Sequence, residues 1–210
     1  MKLVFIGDPM CSWCYGFAKE LRILAERHPA LPLTILAGGV RAGATDLLDE
    51  AGKQFRLAHW ARVEENSGLQ FNRQAFLARE NFVYDSEPVC RAVVTARQLA
   101  PSANQLQVFD ALQRAFYADG RDTTDGKVLA AVAAAALHEQ GNPVSVDAFH
   151  AAWSDPATIA ATAAEFTHVR ALGITSFPQL LLDNGERLIN ISPGYAKADR
   201  LDQALSEALR

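Results

Sequence analysis

Apolar residues along this chain follow two rhythms. Near the start, Leu3-Val4-Phe5-Ile6 and Leu33-Thr34-Ile35-Leu36-Ala37 are short apolar runs that read as buried strands. Between them Phe17, Leu21, Leu24, Ala25 and His28 share one face at helical spacing, and the pattern ends at His28-Pro29. Strand, helix and strand in that order predict a β-α-β unit with parallel strands and a right-handed crossover.

From about Ala44 to Leu172 the rhythm is helical throughout. Leu47, Leu48, Ala51, Phe55 and Ala58 predict a helix running towards Glu65 and stopped by Ser67-Gly68, and the stretch Phe71 to Tyr84 reads as loop and short helix. Asp85 or Ser86 caps the next helix, with Pro88 in its first turn. Further helices run from about Ala103 to Asp119, Asp125 to Gln140 and Ser145 to Trp153, and from Asp155-Pro156 to Gly173. Then strands return: Gln179 to Leu182, an Asn184-Gly185 turn, and Arg187 to Ile191 as the hairpin partner. Ala198, Leu201, Ala204, Leu205 and Ala208 close the chain on an amphipathic helix. Two strands alone make a poor domain, so the two ends are expected to pair in one sheet. That gives a discontinuous α/β domain, 1–43 with 173–210, and a helical insertion over 44–172.

Composition narrows the function classes. The chain has 210 residues, half of them hydrophobic, with 20 basic and 24 acidic side chains. A formal charge of -4 gives no electrostatic reason to expect nucleic acid or an anionic membrane as partner. No apolar run reaches the length of a membrane span. Met1-Lys2 leads directly into the first strand without a cleavable leader pattern, so a cytoplasmic protein is expected. Three cysteines do not make a disulfide scaffold, and in a reducing compartment a close pair points to redox or metal chemistry.

That pair is Cys11-Ser12-Trp13-Cys14, placed where the first strand gives way to the first helix. Unpaired N–H groups and the helix dipole stabilise a thiolate at such a position. Cys11 is therefore the expected nucleophile, and Cys14, one turn further in, the resolving thiol. Cys90 and the five histidines supply no second close pair, so no zinc site is expected. Asp8 precedes Cys11 by one turn; its carboxylate reads equally as a proton acceptor for Cys14 and as a turn residue beside Pro9. Trp13 reads as an aromatic contact for substrate. Cys90 reads as a small buried hydrophobe, with a third redox thiol as the sharper alternative. His28, His59, His138, His150 and His168 read as surface or packing residues without partners.

The order of elements, the Cys-Ser-Trp-Cys pair and a late Xaa-Pro before a hairpin resemble the thioredoxin fold. The helical insertion resembles DsbA-like thiol oxidoreductases, an architecture shared with kappa-class glutathione transferases and 2-hydroxychromene-2-carboxylate isomerases. The matching stretches are Asp8 to Phe17, Ser86 to Arg91 and Gly173 to Pro178, and the nearest resemblance is to predicted cytoplasmic protein-disulfide isomerases of that group. The resemblance implies a cis Phe177–Pro178 bond packed over the cysteine pair. It also implies substrate contacts from Phe177 and Ser176, with the bulk of Phe177 narrowing the groove.

It implies a thiol–disulfide oxidoreductase or isomerase that acts on disulfide- or dithiol-bearing proteins or small molecules. No cofactor is implied beyond the Cys11–Cys14 dithiol, with glutathione admitted as co-substrate. Ser12-Trp13 stands where the strongly oxidising periplasmic enzymes carry Pro-His, so a less oxidising disulfide is expected. The transferases and isomerases usually carry serine at the first cysteine position, and Cys11 departs from that. A glutathione-dependent transferase or isomerase remains the alternative enzyme, and a chaperone-like binding module the non-enzymatic one. Neither the oligomeric state nor the direction of electron flow is legible.

Overall fold

The computed structural model describes residues 1–210. Strand β1 (Lys2–Gly7), helix α1 (Ser12–Arg27) and strand β2 (Leu33–Ala37) form the first unit. The helical block follows: α2 (Glu50–Ser67), α3 (Arg73–Leu77), α4 (Glu87–Leu99), α5 (Gln105–Tyr117), α6 (Gly126–His138), α7 (Val146–Ser154) and α8 (Pro156–Ala171). Strands β3 (Gln179–Asp183) and β4 (Leu188–Ser192) and helix α9 (Ala198–Ala208) complete the chain.

The two ends do meet in one sheet, of order β2-β1-β3-β4. β1 runs parallel to β2, with Phe5 opposite Ile35, and antiparallel to β3, with Phe5 opposite Leu180. The β3–β4 hairpin turns at Asn184, whose side chain accepts from the N–H groups of Glu186 and Arg187. Alternation along β1 sorts its side chains onto two layers. Leu3 and Phe5 join a continuous core of 41 buried residues, whereas Val4 and Ile6 pack with Val169 of α8 and Leu181. Phe5 stacks on Phe17 of α1 at 5.7 Å between ring centroids and meets Phe109 of α5 edge-on at 5.3 Å. The helical block thus shares its core with the sheet.

Boundaries shift for identifiable local reasons. α2 begins at Glu50 because Asp49 caps it, accepting from Gly52 N–H; Leu47, expected inside the helix, instead bridges to Val83. α5 begins at Gln105 because Asn104 caps it, accepting from the N–H groups of Leu106 and Gln107.

Two contacts hold the block against the site. Gly16 lets α2 approach α1: a Cβ there would stand 2.8 Å from Val63 Cγ1. Along the outer edge of β2, Glu165 of α8 accepts from Ala37 N–H at 2.6 Å, while Arg97 of α4 pairs with Glu165 and donates to the Ile35 carbonyl. This clamp satisfies backbone groups that an edge strand otherwise leaves open.

Candidate active site

Cys11 is the N-cap of α1, half-buried, and its side chain makes no capping hydrogen bond. The first turn of α1 carries no acidic residue, so nothing there offsets the positive end of the helix. Cys11 N–H donates to the Asp8 carbonyl at 2.9 Å, which fixes the turn before the helix. Cys14 is fully buried and lies against Cys11. Burial pushes the Cys14 thiol well up, and the neighbouring Cys11 sulfur and Asp8 carboxylate push the same way. One thiol of the pair therefore meets solvent and the other does not.

Asp8 is wholly buried at the end of β1. Its two carboxylate oxygens accept from Met10 N–H at 2.7 Å and Val40 N–H at 2.6 Å. Burial raises its pKa, while hydrogen bonds from Ser86, Met10, Val40 and Cys90 oppose the rise. Asp8 thus contacts both α4 and the loop after β2, and its charge is felt at Cys14 and Cys90. Cys90 is completely buried with Ala37 and Phe166, its thiol is hydrogen-bonded to Asp8, and burial pushes that thiol well up.

The Phe177–Pro178 peptide is cis. Pro178 is buried, and the Phe177 carbonyl accepts from Cys11 Sγ at 3.7 Å. The Phe177 ring does not narrow the groove as expected from its bulk. It packs over Gly38, where a Cβ would come within 2.4 Å of Cε1, so only its backbone faces Cys11. Ser176 is exposed and its hydroxyl accepts from Gln179 Nε2 at 3.3 Å, a local bond at the start of β3.

The groove beside Cys11 has a volume of about 250 Å3. Met10, Ser12 and Trp13 form one wall, and Phe55, Arg56 and His59 of α2 the other. Trp13 is half-buried against Tyr195 at 5.5 Å between centroids, with Arg62 over its ring at 6.0 Å. Phe55 is 65% exposed. At the floor, Tyr84 donates to the Met10 carbonyl at 2.6 Å and lies under Arg56 at 4.3 Å.

None of the α2 and Tyr84 contributions was expected from sequence. Phe55 and His59 stand one helical turn apart, a spacing that says nothing about which distant element they face. Two histidines also depart from the partnerless reading. His28 Nε2 lies 2.6 Å from Asp202 Oδ1, and His59 Nδ1 lies 2.8 Å from Arg62, with burial and the nearby Arg62 and Arg56 charges lowering its pKa.

A thioredoxin sheet with a helical insertion, a dithiol at the start of α1 and a cis proline opposite define the class, and the DSBA-like thioredoxin domain family matches residues 2–206. The chain belongs to that family. It is similar over its whole length to a protein-disulfide-isomerase candidate from Nitrosomonas europaea, with 31% identity, a TM-score of 0.84 and 98% of that chain covered. It is also similar to the cytosolic disulfide reductase DsbM from Pseudomonas aeruginosa, with 26% identity, a TM-score of 0.79, and 100% of this chain and 99% of that one covered. A 2-hydroxychromene-2-carboxylate isomerase shares the fold at 15% identity and a TM-score of 0.62, covering 100% of this chain and 94% of that one. No curated protein matches the chain. Family and neighbours support an enzyme of the thiol–disulfide oxidoreductase kind. No helix is long and apolar enough to cross a membrane.

Proposed function

We propose that this protein reduces or isomerises disulfides through the Cys11–Cys14 dithiol, with glutathione as the small thiol that recycles it. The observation that carries the reading is the asymmetry of the pair: Cys11 is half-buried at the helix start and Cys14 fully buried behind it. The Cys11 thiolate attacks one sulfur of a substrate disulfide; that S–S bond breaks, and one substrate thiolate leaves and takes a proton from solvent. Cys14 then passes its proton to the Asp8 carboxylate and attacks Cys11 sulfur. The second substrate thiol is released, and the enzyme holds a Cys11–Cys14 disulfide that has given up two electrons. Two glutathione thiols return it to the dithiol, becoming glutathione disulfide.

The Phe177 backbone lies where it can align an extended substrate across Cys11, and Trp13 supplies an aromatic surface beside it. Support for glutathione comes from the DsbM neighbour, whose structure with GSH has a TM-score of 0.77 at 25% identity. DsbM is described as cytosolic, which agrees with a working place that keeps thiols reduced.

Trapping tests the scheme. Cys14→Ala removes the resolving thiol, so incubation with a model protein disulfide should leave a mixed disulfide on Cys11 that mass spectrometry locates. An absence of adduct, or an adduct on Cys90, contradicts it.

A further inference from the structure

Asp8 belongs to a closed cluster with Ser86, the N-cap of α4, and Cys90 in the first turn of that helix. All three side chains are fully buried. Three consecutive N–H groups of the loop after β2 hold them, one each. Gly39 N–H donates to the Cys90 sulfur, Val40 N–H to Asp8 Oδ2 at 2.6 Å and Arg41 N–H to Ser86 Oγ at 3.0 Å. Within α4, Cys90 N–H donates to the Ser86 carbonyl at 3.1 Å, so the two side chains share one face.

A serine at an N-cap ordinarily accepts from N–H groups of its own helix. Ser86 makes no such bond. Its oxygen accepts from Arg41 instead, and its own proton goes to the Asp8 carboxylate. Cys90, kept a thiol by burial and by the Asp8 charge, also donates to Asp8. With Met10 N–H at 2.7 Å and Val40 N–H, the carboxylate then has four donors, about as many as its lone pairs accept.

We propose that Ser86 and Cys90 are positioning residues for the resolving step, their protons holding the buried Asp8 carboxylate in place and in its charged form beside Cys14. This rests on the reading of Asp8 as the proton acceptor. Cys14 gives its proton to Asp8 and its sulfur attacks Cys11. The Cys11–Cys14 bond forms, the bond from Cys11 to substrate breaks, and its electron pair leaves on the substrate thiolate. Ser86 and Cys90 keep their own protons throughout.

The need for them is electrostatic. A carboxylate cut off from water is disfavoured unless donors replace its hydration. On α1 lie the Cys14 and Cys11 sulfurs. Tyr84, before α4, and Tyr117 of α5 present hydroxyls kept protonated by burial and by the Asp8 charge. Glu165 of α8, felt at Cys90, is paired with Arg97, and the Arg41 guanidinium holds Asp46 at 2.8 Å. The four partners of the Asp8 carboxylate are all neutral, so losing one raises the pH at which the acceptor forms.

Rapid-quench kinetics with acid trapping, run on the full chain from about pH 5 to pH 9, reads release from the mixed disulfide separately from its formation. Ser86→Ala should move the midpoint of the release limb up by about 1 pH unit, the size of one hydrogen bond to a charged group. Cys90→Ala should move it up by roughly half as much, because a thiol is the weaker donor. Cys90→Ser supplies a hydroxyl donor and should return the midpoint to the wild-type value. A purely structural role would slow release at every pH and leave the midpoint in place, and a redox role for Cys90 would make serine no better than alanine; either result overturns the proposal. If Ser86→Ala does not fold, the two Cys90 variants decide alone. Asp8→Asn separates the proposal from the reading beneath it. Loss of the limb keeps Asp8 as acceptor even where the other variants fail to shift it. A limb that persists removes Asp8 from the step, and the proposal with it.

Discussion

Cys11 Sγ stands 3.7 Å from the carbonyl oxygen of Phe177, a residue at the other end of the chain. The contact joins the α1 N-terminus to the loop entering β3, and the sheet order explains it: β1 and β3 are neighbours, so whatever follows β1 meets whatever precedes β3. The Cys11 sulfur and the Phe177 backbone are thus brought together by strand pairing rather than by a flexible loop.

Gly38 sets the position of that backbone. A Cβ at residue 38 would stand 2.4 Å from the half-buried Phe177 ring, which packs on the Val4–Ile6 layer and would have to shift. Gly38→Ala should destabilise the fold by about 1–3 kcal/mol and lower the rate of disulfide reduction more than its effect on folding explains. Urea denaturation alongside insulin-reduction rates measures both.

Asp8 should act in the second chemical step. It is buried beside Cys14, whose thiol is itself pushed well up, so Cys14 needs a local acceptor for its proton. Asp8→Asn should slow release from the mixed disulfide by ~100-fold while leaving its formation nearly unchanged. Because burial raises the Asp8 pKa, the wild-type release rate should climb with pH through a range above that of an ordinary carboxylate, and the variant should lose that limb. Rapid-quench kinetics with acid trapping separates the two steps. Equal release rates would reduce Asp8 to the bonds it makes to Met10 and Val40.

Arg56 borders the groove and makes no ion pair, its one side-chain hydrogen bond going to the Gly52 carbonyl at 3.0 Å. Glutathione carries carboxylates, so Arg56→Glu should raise the KM for glutathione by ~10-fold, with less effect in high salt and with a neutral thiol as reductant. Steady-state rates at two ionic strengths check this.

Asp110 should limit stability at neutral pH. Its pKa is raised from 3.8 to about 6, with burial the largest cause. For a carboxyl raised on folding, the native state holds the proton more tightly. The group's contribution is therefore most favourable below the unfolded value and is lost as pH rises through about 6. Asp110→Asn should stabilise the protein at pH 7 by about 2–3 kcal/mol, with the gain shrinking towards pH 4. Denaturation midpoints at both pH values give the answer.

What was legible in the sequence was local. The strand, the Cys-Ser-Trp-Cys turn and the start of α1 are encoded within a few adjacent residues, and Asn184 announces its hairpin the same way. The resemblance of Ser176-Phe177-Pro178 to a known loop carried the cis bond. What escaped depends on residues far apart in sequence. The α2 wall of the groove, the pairing of His28 with Asp202 and the Glu165 clamp on β2 arise only when helices pack. Gln113 and Asp110 of α5 carry buried side-chain atoms without a partner, and spacing does not reveal which polar side chain will be so placed.

Differential alkylation tests the central claim most directly. The reduced native protein, given a brief exposure to iodoacetamide at pH 7 and then mapped by mass spectrometry, should carry label on Cys11 at least ~10-fold ahead of Cys14 and Cys90. Labelling of Cys14 or Cys90 as fast as Cys11 would contradict the division of labour between an accessible attacking sulfur and a sealed resolving one.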